Sequence, residues 1–256
     1  MLLWAKLVLQ IHTWLLPCES SLFAVDAVHN VYLWCPQEKA LYKLWAPTYD
    51  SVSRIGGAPG SEGFLGVTSL VPTGNQQLYV LDAEGQKLYL LGTNLQPLQE
   101  VPYENLPPEV AGSYPWLMTV GSGGALYLLL RESQEIVKID PFGRVLMTFG
   151  GKTYGDGAIV AGTALHAENE KIYAADTLRR CILIYDNWGN FLEALPFPEE
   201  AQQGIVSAHY PIFWGRQKIW VGEKEIEIPF TPSQVWLQGE RLYWMSGQQM
   251  GWLLRP

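Results

Sequence analysis

The stretch KIYAADTLRRCILIYDNWGNFLEAL, residues 171–195, decides how this chain is read. Runs rich in Ile, Leu, Ala and Tyr are separated by Asp-Thr-Leu-Arg-Arg and by Asp-Asn-Trp-Gly-Asn. Polar Asp, Asn and Gly clusters between short runs of strand formers punctuate hairpins, whereas a helical repeat would show an apolar period of 3.6. The same grammar recurs upstream in QLYVLDAEGQKLYLLGTNLQPLQEV from Gln77 and in ALYLLLRESQEIVKIDPFGRVLMTFGG from Ala125.

Outward from that stretch, each unit carries an aliphatic residue followed by an aromatic one: Val31-Tyr32, Leu78-Tyr79, Leu126-Tyr127, Ile172-Tyr173 and Ile219-Trp220. The aromatic members are spaced by 47, 48, 46 and 47 residues. About four strands fit in a unit of that length, which is the composition of a β-propeller blade. The next pair, Leu242-Tyr243, follows Trp220 after only 23 residues, so the fifth blade is predicted to be shortened, with strands at 206–213, 218–222 and 225–229. A sixth unit begins near Val235 and reaches Pro256 too early to supply its own outermost strand.

The start of the chain supplies a candidate for that strand. Lys6, Val8, Gln10 and His12 alternate with Ala5, Leu7, Leu9 and Ile11, the period of a strand with two unlike faces. The sequence therefore predicts an all-β fold, a six-bladed propeller formed as one domain by residues 1–256, its ring closed by an N-terminal strand paired with the last blade. Closure of that kind removes an edge that would otherwise invite aggregation. Residues 1–20 also read as the remnant of a secretion signal, although Lys6, Gln10 and His12 interrupt the apolar run. No run approaches the ~18 apolar residues of a membrane-spanning helix.

Residues 172–195 resemble an NHL repeat: a strand ending in Ala-Asp, a polar turn, a second strand ending in Asp, a Gly-containing turn and a third strand. IVKIDPFGRVLMTFGG repeats the later half, and RIGGAPGSEGF from Arg54 and FGGKTYGDG from Phe149 are similar to the Gly-rich segments between blades of that family. The resemblance covers most of residues 21–198 and fades beyond them, and Leu129-Leu130 replace the Ala-Asp pair in the third unit. It implies a fold used by enzymes, RNA binders and scaffolds alike, so function has to be read from particular residues.

Hydrophobic residues make up 48% of the chain and charged ones 16%, enough for an extended core and too few charges for a disordered chain. A formal charge of −8 and a pI near 5.0 argue against a nucleic-acid partner. The three cysteines have no Cys-x-x-Cys spacing. Cys181 reads as a small buried hydrophobe, and ring closure would bring Cys18 and Cys35 close enough for one disulfide.

Most residues that suggest catalysis have structural readings. Asp82 and Asp176 end the second strands of their units, where a carboxylate accepts backbone N–H bonds and fixes a turn; Glu223 is read as their counterpart. Asp140 and Asp186 precede Pro-Phe-Gly and Asn-Trp-Gly turns in the same way. His12, His29, His166 and His209 fall in four different blades. The innermost strands, read at 23–26, 68–73, 117–121, 163–168 and 205–210, carry chiefly Asp26 and Glu168, too few oxygens for a hard cation. No catalytic residue, metal ligand or cofactor is assigned.

Tryptophan remains, with 11 residues. Trp34, Trp45, Trp116, Trp188 and Trp214 lie near strand ends or turns, and Trp188 occupies the outward i+2 position of its turn. Arg179 and Arg180 form the only adjacent basic pair, in a turn. These seven are the predicted interaction residues of a non-catalytic scaffold that meets a protein partner in an extracytoplasmic assembly, periplasmic or at a bacterial cell surface. The alternatives are a metal-dependent hydrolase or lyase of the six-bladed type and a carbohydrate-binding module.

Overall fold

The structure, a computed structural model, describes residues 11–57, 63–152, 155–207 and 209–255. It consists of six four-stranded antiparallel sheets, each a blade. The first strand in the chain, β1 (His12–Leu15), is the outermost strand of blade 6. Blade 1 holds β2 (Leu22–Val25), β3 (Val31–Cys35), β4 (Ala40–Leu44) and β5 (Val52–Gly56). Blade 2 holds β6 (Val67–Pro72), β7 (Leu78–Asp82), β8 (Lys87–Leu91) and β9 (Pro97–Pro102). Blade 3 holds β10 (Pro115–Val120), β11 (Leu126–Leu130), β12 (Glu135–Ile139) and β13 (Val145–Gly150). Blade 4 holds β14 (Gly162–Glu168), β15 (Lys171–Asp176), β16 (Cys181–Asp186) and β17 (Phe191–Pro196). Blade 5 holds β18 (Ala201–Ser207), β19 (Tyr210–Gly215), β20 (Lys218–Val221) and β21 (Lys224–Glu227). Blade 6 adds β22 (Gln234–Gln238), β23 (Arg241–Ser246) and β24 (Gln249–Leu254).

The middle strands of a blade face neighbouring blades on both sides, which explains why they read as continuous apolar runs. Every residue of β3 and β4 is buried. Between blades 3 and 4, Leu129 and Ile136 pack with Leu183 and Tyr185. Each such fully buried side chain contributes roughly 1.5–3 kcal/mol of transfer free energy. Outer strands are exposed along much of their length, as in β9 and β17.

The innermost strands are joined across blade boundaries by side chains. The Ser69 hydroxyl accepts the Met118 N–H at 3.0 Å and the Thr119 hydroxyl accepts the Ala167 N–H at 3.2 Å. Ser207 donates to the Leu237 carbonyl at 2.6 Å, and the Gln234 amide bonds both the N–H and the carbonyl of Phe23.

Ring closure by the N-terminal strand is observed. His12, Thr13, Trp14 and Leu15 pair with Trp252, Gly251, Met250 and Gln249. The alternating residues Ala5 to Gln10 lie outside the described residues. Cys18 and Cys35 form a disulfide, with their Cα atoms 6.0 Å apart, so the segment after the closing strand is tied to blade 1.

Blade 5 corrects the sequence reading. It is complete, because the stretch 206–213 spans the end of β18 and the start of β19 rather than one strand. Ile219-Trp220 sits on the third strand, whereas the other pairs sit on second strands; the equivalent pair is Ile212-Phe213. The apparent half-repeat is therefore a change of phase caused by short turns. The same shift removes Glu223 from equivalence with Asp82 and Asp176: it lies in the turn between β20 and β21 and is exposed.

Candidate functional site

The antiparallel order gives the ring two unlike faces. Turns from first to second and third to fourth strands form one, the turn face; second-to-third turns and the linkers between blades form the other, the linker face.

Aspartates shape both. On the turn face, one Oδ of Asp26, Asp140 and Asp186 accepts the N–H groups two and four residues on, while the other oxygen binds the side chain of the residue four on: Asn30, Arg144 and Asn190 respectively. Those bonds hold the Asp140 and Asp186 carboxyls below the ordinary carboxylate value, the residue four on contributing most. On the linker face, Asp82 accepts the N–H groups of Leu65, Gly66 and Gly85, and Asp176 those of Val160, Ala161 and Arg179. Each aspartate thus fixes its own turn and the linker arriving from the previous blade.

Within this framework Phe142 and Trp188 occupy the same place in adjacent blades, two residues after Asp140 and Asp186. They are 84% and 76% exposed. Four residues on, at equivalent points of the outer strands, Leu146 and Leu192 are also exposed. The Trp188 turn is held from blade 3, where Tyr127 and Lys138 both donate to Asn187. Apolar side chains on so well-bonded a backbone cost little ordering on binding.

The other sequence-predicted interaction residues are used internally to differing degrees. Trp34 is 2% exposed and meets Phe64 edge to face, and Trp214 is 6% exposed in the core between blades 5 and 6; neither reaches the surface as expected. Trp45 is half-buried against the Lys43 ammonium, 3.7 Å from its ring, and donates to Ser53. Arg179 donates to the carbonyls of Asp156 and Ala158, and Arg180 to those of Pro198 and Glu199, so both guanidinium groups bind linkers. Trp116 is half-buried on the linker face with Arg131 over its ring.

All six innermost strands line an axial cavity of about 360 Å³. Many of its polar groups are already engaged, including Asp26, Ser69, Thr119, Ser207 and Gln234. At its turn-face mouth, sequence reasoning missed a convergence. Glu168 Oε2 accepts the backbone N–H of His209 at 2.8 Å, lies 3.1 Å from the His209 Nδ1, and is 3.7 Å from the His166 Nε2. Burial alone would raise the Glu168 carboxyl, but the His166 side chain and the His209 backbone and ring outweigh it and hold it below the ordinary value. The ring brings together residues 41 positions apart, which linear spacing does not reveal. Among the described residues, no three His, Cys, Asp or Glu side chains are arranged to hold a metal ion.

The fold is that of a six-bladed β-propeller. In structure the chain is similar to a catalytically inactive virginiamycin B lyase from Staphylococcus aureus with quinupristin, at 15% identity and a TM-score of 0.59, over 91% of this chain and 80% of that one. It is similar to the luciferin-regenerating enzyme, at 13% identity and a TM-score of 0.65, over 97% and 95% of the two chains. The WD40 repeats of RRP9 match at 9% identity and a TM-score of 0.63, over 96% and 99%. No protein-family model and no curated protein matches the sequence. At these identities the likeness establishes the fold, which enzymes and WD40 repeats share.

Proposed function

We propose that this propeller is a non-catalytic binding platform for a protein partner, engaged through the turn face of blades 3 and 4. The observation that carries the reading is the repeated exposure of Phe142 with Leu146 and of Trp188 with Leu192 on two adjacent, rigidly held turns. Large aromatics in fixed positions are the residues that dominate protein interfaces. The net charge of −8 disfavours nucleic acid as the partner. The Cys18–Cys35 bridge supports an extracytoplasmic setting, where disulfides persist. No helix among the described residues is long and apolar enough to cross a membrane.

The test is quantitative affinity capture from the native source with crosslink mapping, comparing the native chain with a Phe142→Ser/Trp188→Ser variant. A stoichiometric protein crosslinked near residues 142–146 and 188–192, and lost from the variant, supports the reading. A partner retained at unchanged stoichiometry by the variant, or a chain that emerges alone, overturns it.

A second reading rests on Glu168, His166 and His209: a hydrolase or lyase acting at the axial mouth. The carboxylate fixes one imidazole and stands near another, an arrangement that can orient a general base. Turnover of a lactone or ester panel that vanishes in His166→Ala and in His209→Ala would favour it, and equal rates in both variants would dismiss it.

A further inference from the structure

On the linker face, away from the Phe142–Trp188 patch, a groove of about 660 Å³ runs between blades 1, 2 and 3. Its aromatic side is Trp116 and Tyr114, the latter 46% exposed. Arg131 is seated over the Trp116 indole, its guanidinium 5.0 Å from the ring centre, and also lines the groove. Glu84 and Gln86, in the β7–β8 turn, line it as well. Glu84 lies over Gly66, where an added Cβ would come within 2.5 Å of its side chain.

The polar groups here differ from those in the axial cavity. Among the described residues, the side chains of Glu84, Gln86 and Arg131 make no hydrogen bond or ion pair. The Thr68 hydroxyl, in a residue that lines both the groove and the axial cavity, is buried without a hydrogen-bond partner. A concave site with aromatic walls and a few convergent planar polar groups is built for a small ligand. A carboxylate accepts, a guanidinium donates and an amide does both, which matches the alternating donors and acceptors of vicinal hydroxyls, while the indole and phenol rings suit the apolar face of a pyranose. A proline-rich segment would also suit the aromatic rings, but it carries no donors for Glu84.

We infer that this groove binds a carbohydrate, with Trp116 and Tyr114 as the stacking platform and Glu84, Gln86 and Arg131 as the hydroxyl-reading groups. The site is separate from the partner face, and its failure would leave that reading untouched.

Calorimetry and saturation-transfer NMR with cellotetraose, maltotetraose, chitotetraose and laminaritetraose test it, with decaproline as the competing ligand class. At least one tetrasaccharide should bind saturably with a Kd below about 1 mM, as expected of a shallow polar site. Glu84→Gln and Arg131→Gln should each weaken it by about tenfold or more, while Trp188→Ala leaves it unchanged. Because Trp116 also touches the core, Trp116→Ala is informative only if it folds, and the two exposed polar variants decide the matter regardless. The inference is overturned if no tetrasaccharide saturates up to about 10 mM, if binding ignores both polar variants, or if decaproline occupies the groove instead.

Discussion

Lys138 of blade 3 donates through Nζ to both the carbonyl and the side-chain oxygen of Asn187 in blade 4, at 3.1 and 2.6 Å. The ammonium also sits over the Tyr127 ring at 5.3 Å, and burial pulls its pKa below the ordinary lysine value. Blade 1 repeats the device. Lys43 is fully buried, lies over Tyr32, and donates to the Thr93 carbonyl in the corresponding turn of blade 2. A buried lysine in the third strand thus pins the next blade's outer turn, and in blade 4 that turn presents Trp188.

Replacing Lys138 by Met keeps the apolar stem and removes both bonds to Asn187. Hydrogen bonds from a charged donor are worth about 1.5–3 kcal/mol each, and removing a buried ammonium returns part of that through relief of desolvation. A net loss of about 1–3 kcal/mol in chemical denaturation is expected, together with faster motion of Trp188 in time-resolved fluorescence anisotropy. Unchanged stability and unchanged anisotropy would show that the lysine does not hold the turn.

Gly189 and Gly143 form a matched pair for measuring how tightly that turn is seated. Both have left-handed backbones, with φ of +77° and +84°, but a Cβ on Gly189 would fall 2.8 Å from the Phe149 ring, whereas one on Gly143 meets nothing within 4 Å. Gly143→Ala should cost about 1 kcal/mol, the conformational penalty alone. Gly189→Ala should cost about 2–3 kcal/mol because the ring has to move as well. Equal costs in thermal unfolding would mean that the contact with Phe149 carries no weight.

The Cys18–Cys35 bridge closes a separation of 17 residues around the junction of the closing strand with blade 1. Loop-closure entropy for a separation of that size is worth about 3 kcal/mol, so a Cys18→Ser/Cys35→Ser variant should lose about 2–4 kcal/mol. For a chain of this length that corresponds to a fall of roughly 4–8 °C in Tm. Cys181 is buried, with its thiol pKa raised mainly by burial, so the native protein should show no readily reactive thiol. A Tm shift under about 2 °C in the variant would remove the bridge from the account of ring closure.

Much of the ring was legible because blade strands obey a simple rule: apolar runs where both faces are buried, Asp-containing turns where the chain reverses. That rule located the innermost strands of blades 1 to 4 within a few residues and read Asp82, Asp140, Asp176 and Asp186 as turn-fixing groups. It lost phase in blade 5, where Ile219-Trp220 imitates the repeated pair from the wrong strand. Sequence also singles out Trp188 by its turn position, but it cannot separate Trp188 from Trp34 and Trp214, because a tryptophan near a strand end faces outward or into a blade boundary according to register. The Glu168, His166 and His209 convergence and the groove around Trp116 arise from neighbouring blades, which no linear pattern reports.

Buried tyrosines set the alkaline limit of the fold. Burial raises the pKa of Tyr127 to about 12, and raises those of Tyr32, Tyr103, Tyr185 and Tyr243 further still. Below pH 10 these phenols are neutral in folded and unfolded chains alike, so their contribution to stability is fully present. Above the unfolded value of 10.0 the unfolded chain ionises first, the folded chain binds more protons, and stability falls as pH rises. Lys43 and Lys138 act in the opposite sense, since their lowered values let the folded chain release protons before the unfolded one. Burial raises Tyr42 and Tyr173 as well, so seven phenols stand against two ammonium groups and the net effect is destabilising. Thermal melts from pH 8 to pH 12 should therefore show a Tm that declines steeply above about pH 10, and absorbance at about 295 nm should show these tyrosines titrating only as the ring unfolds. A smooth titration of all 13 tyrosines near pH 10 with the fold intact would contradict the burial assigned to them.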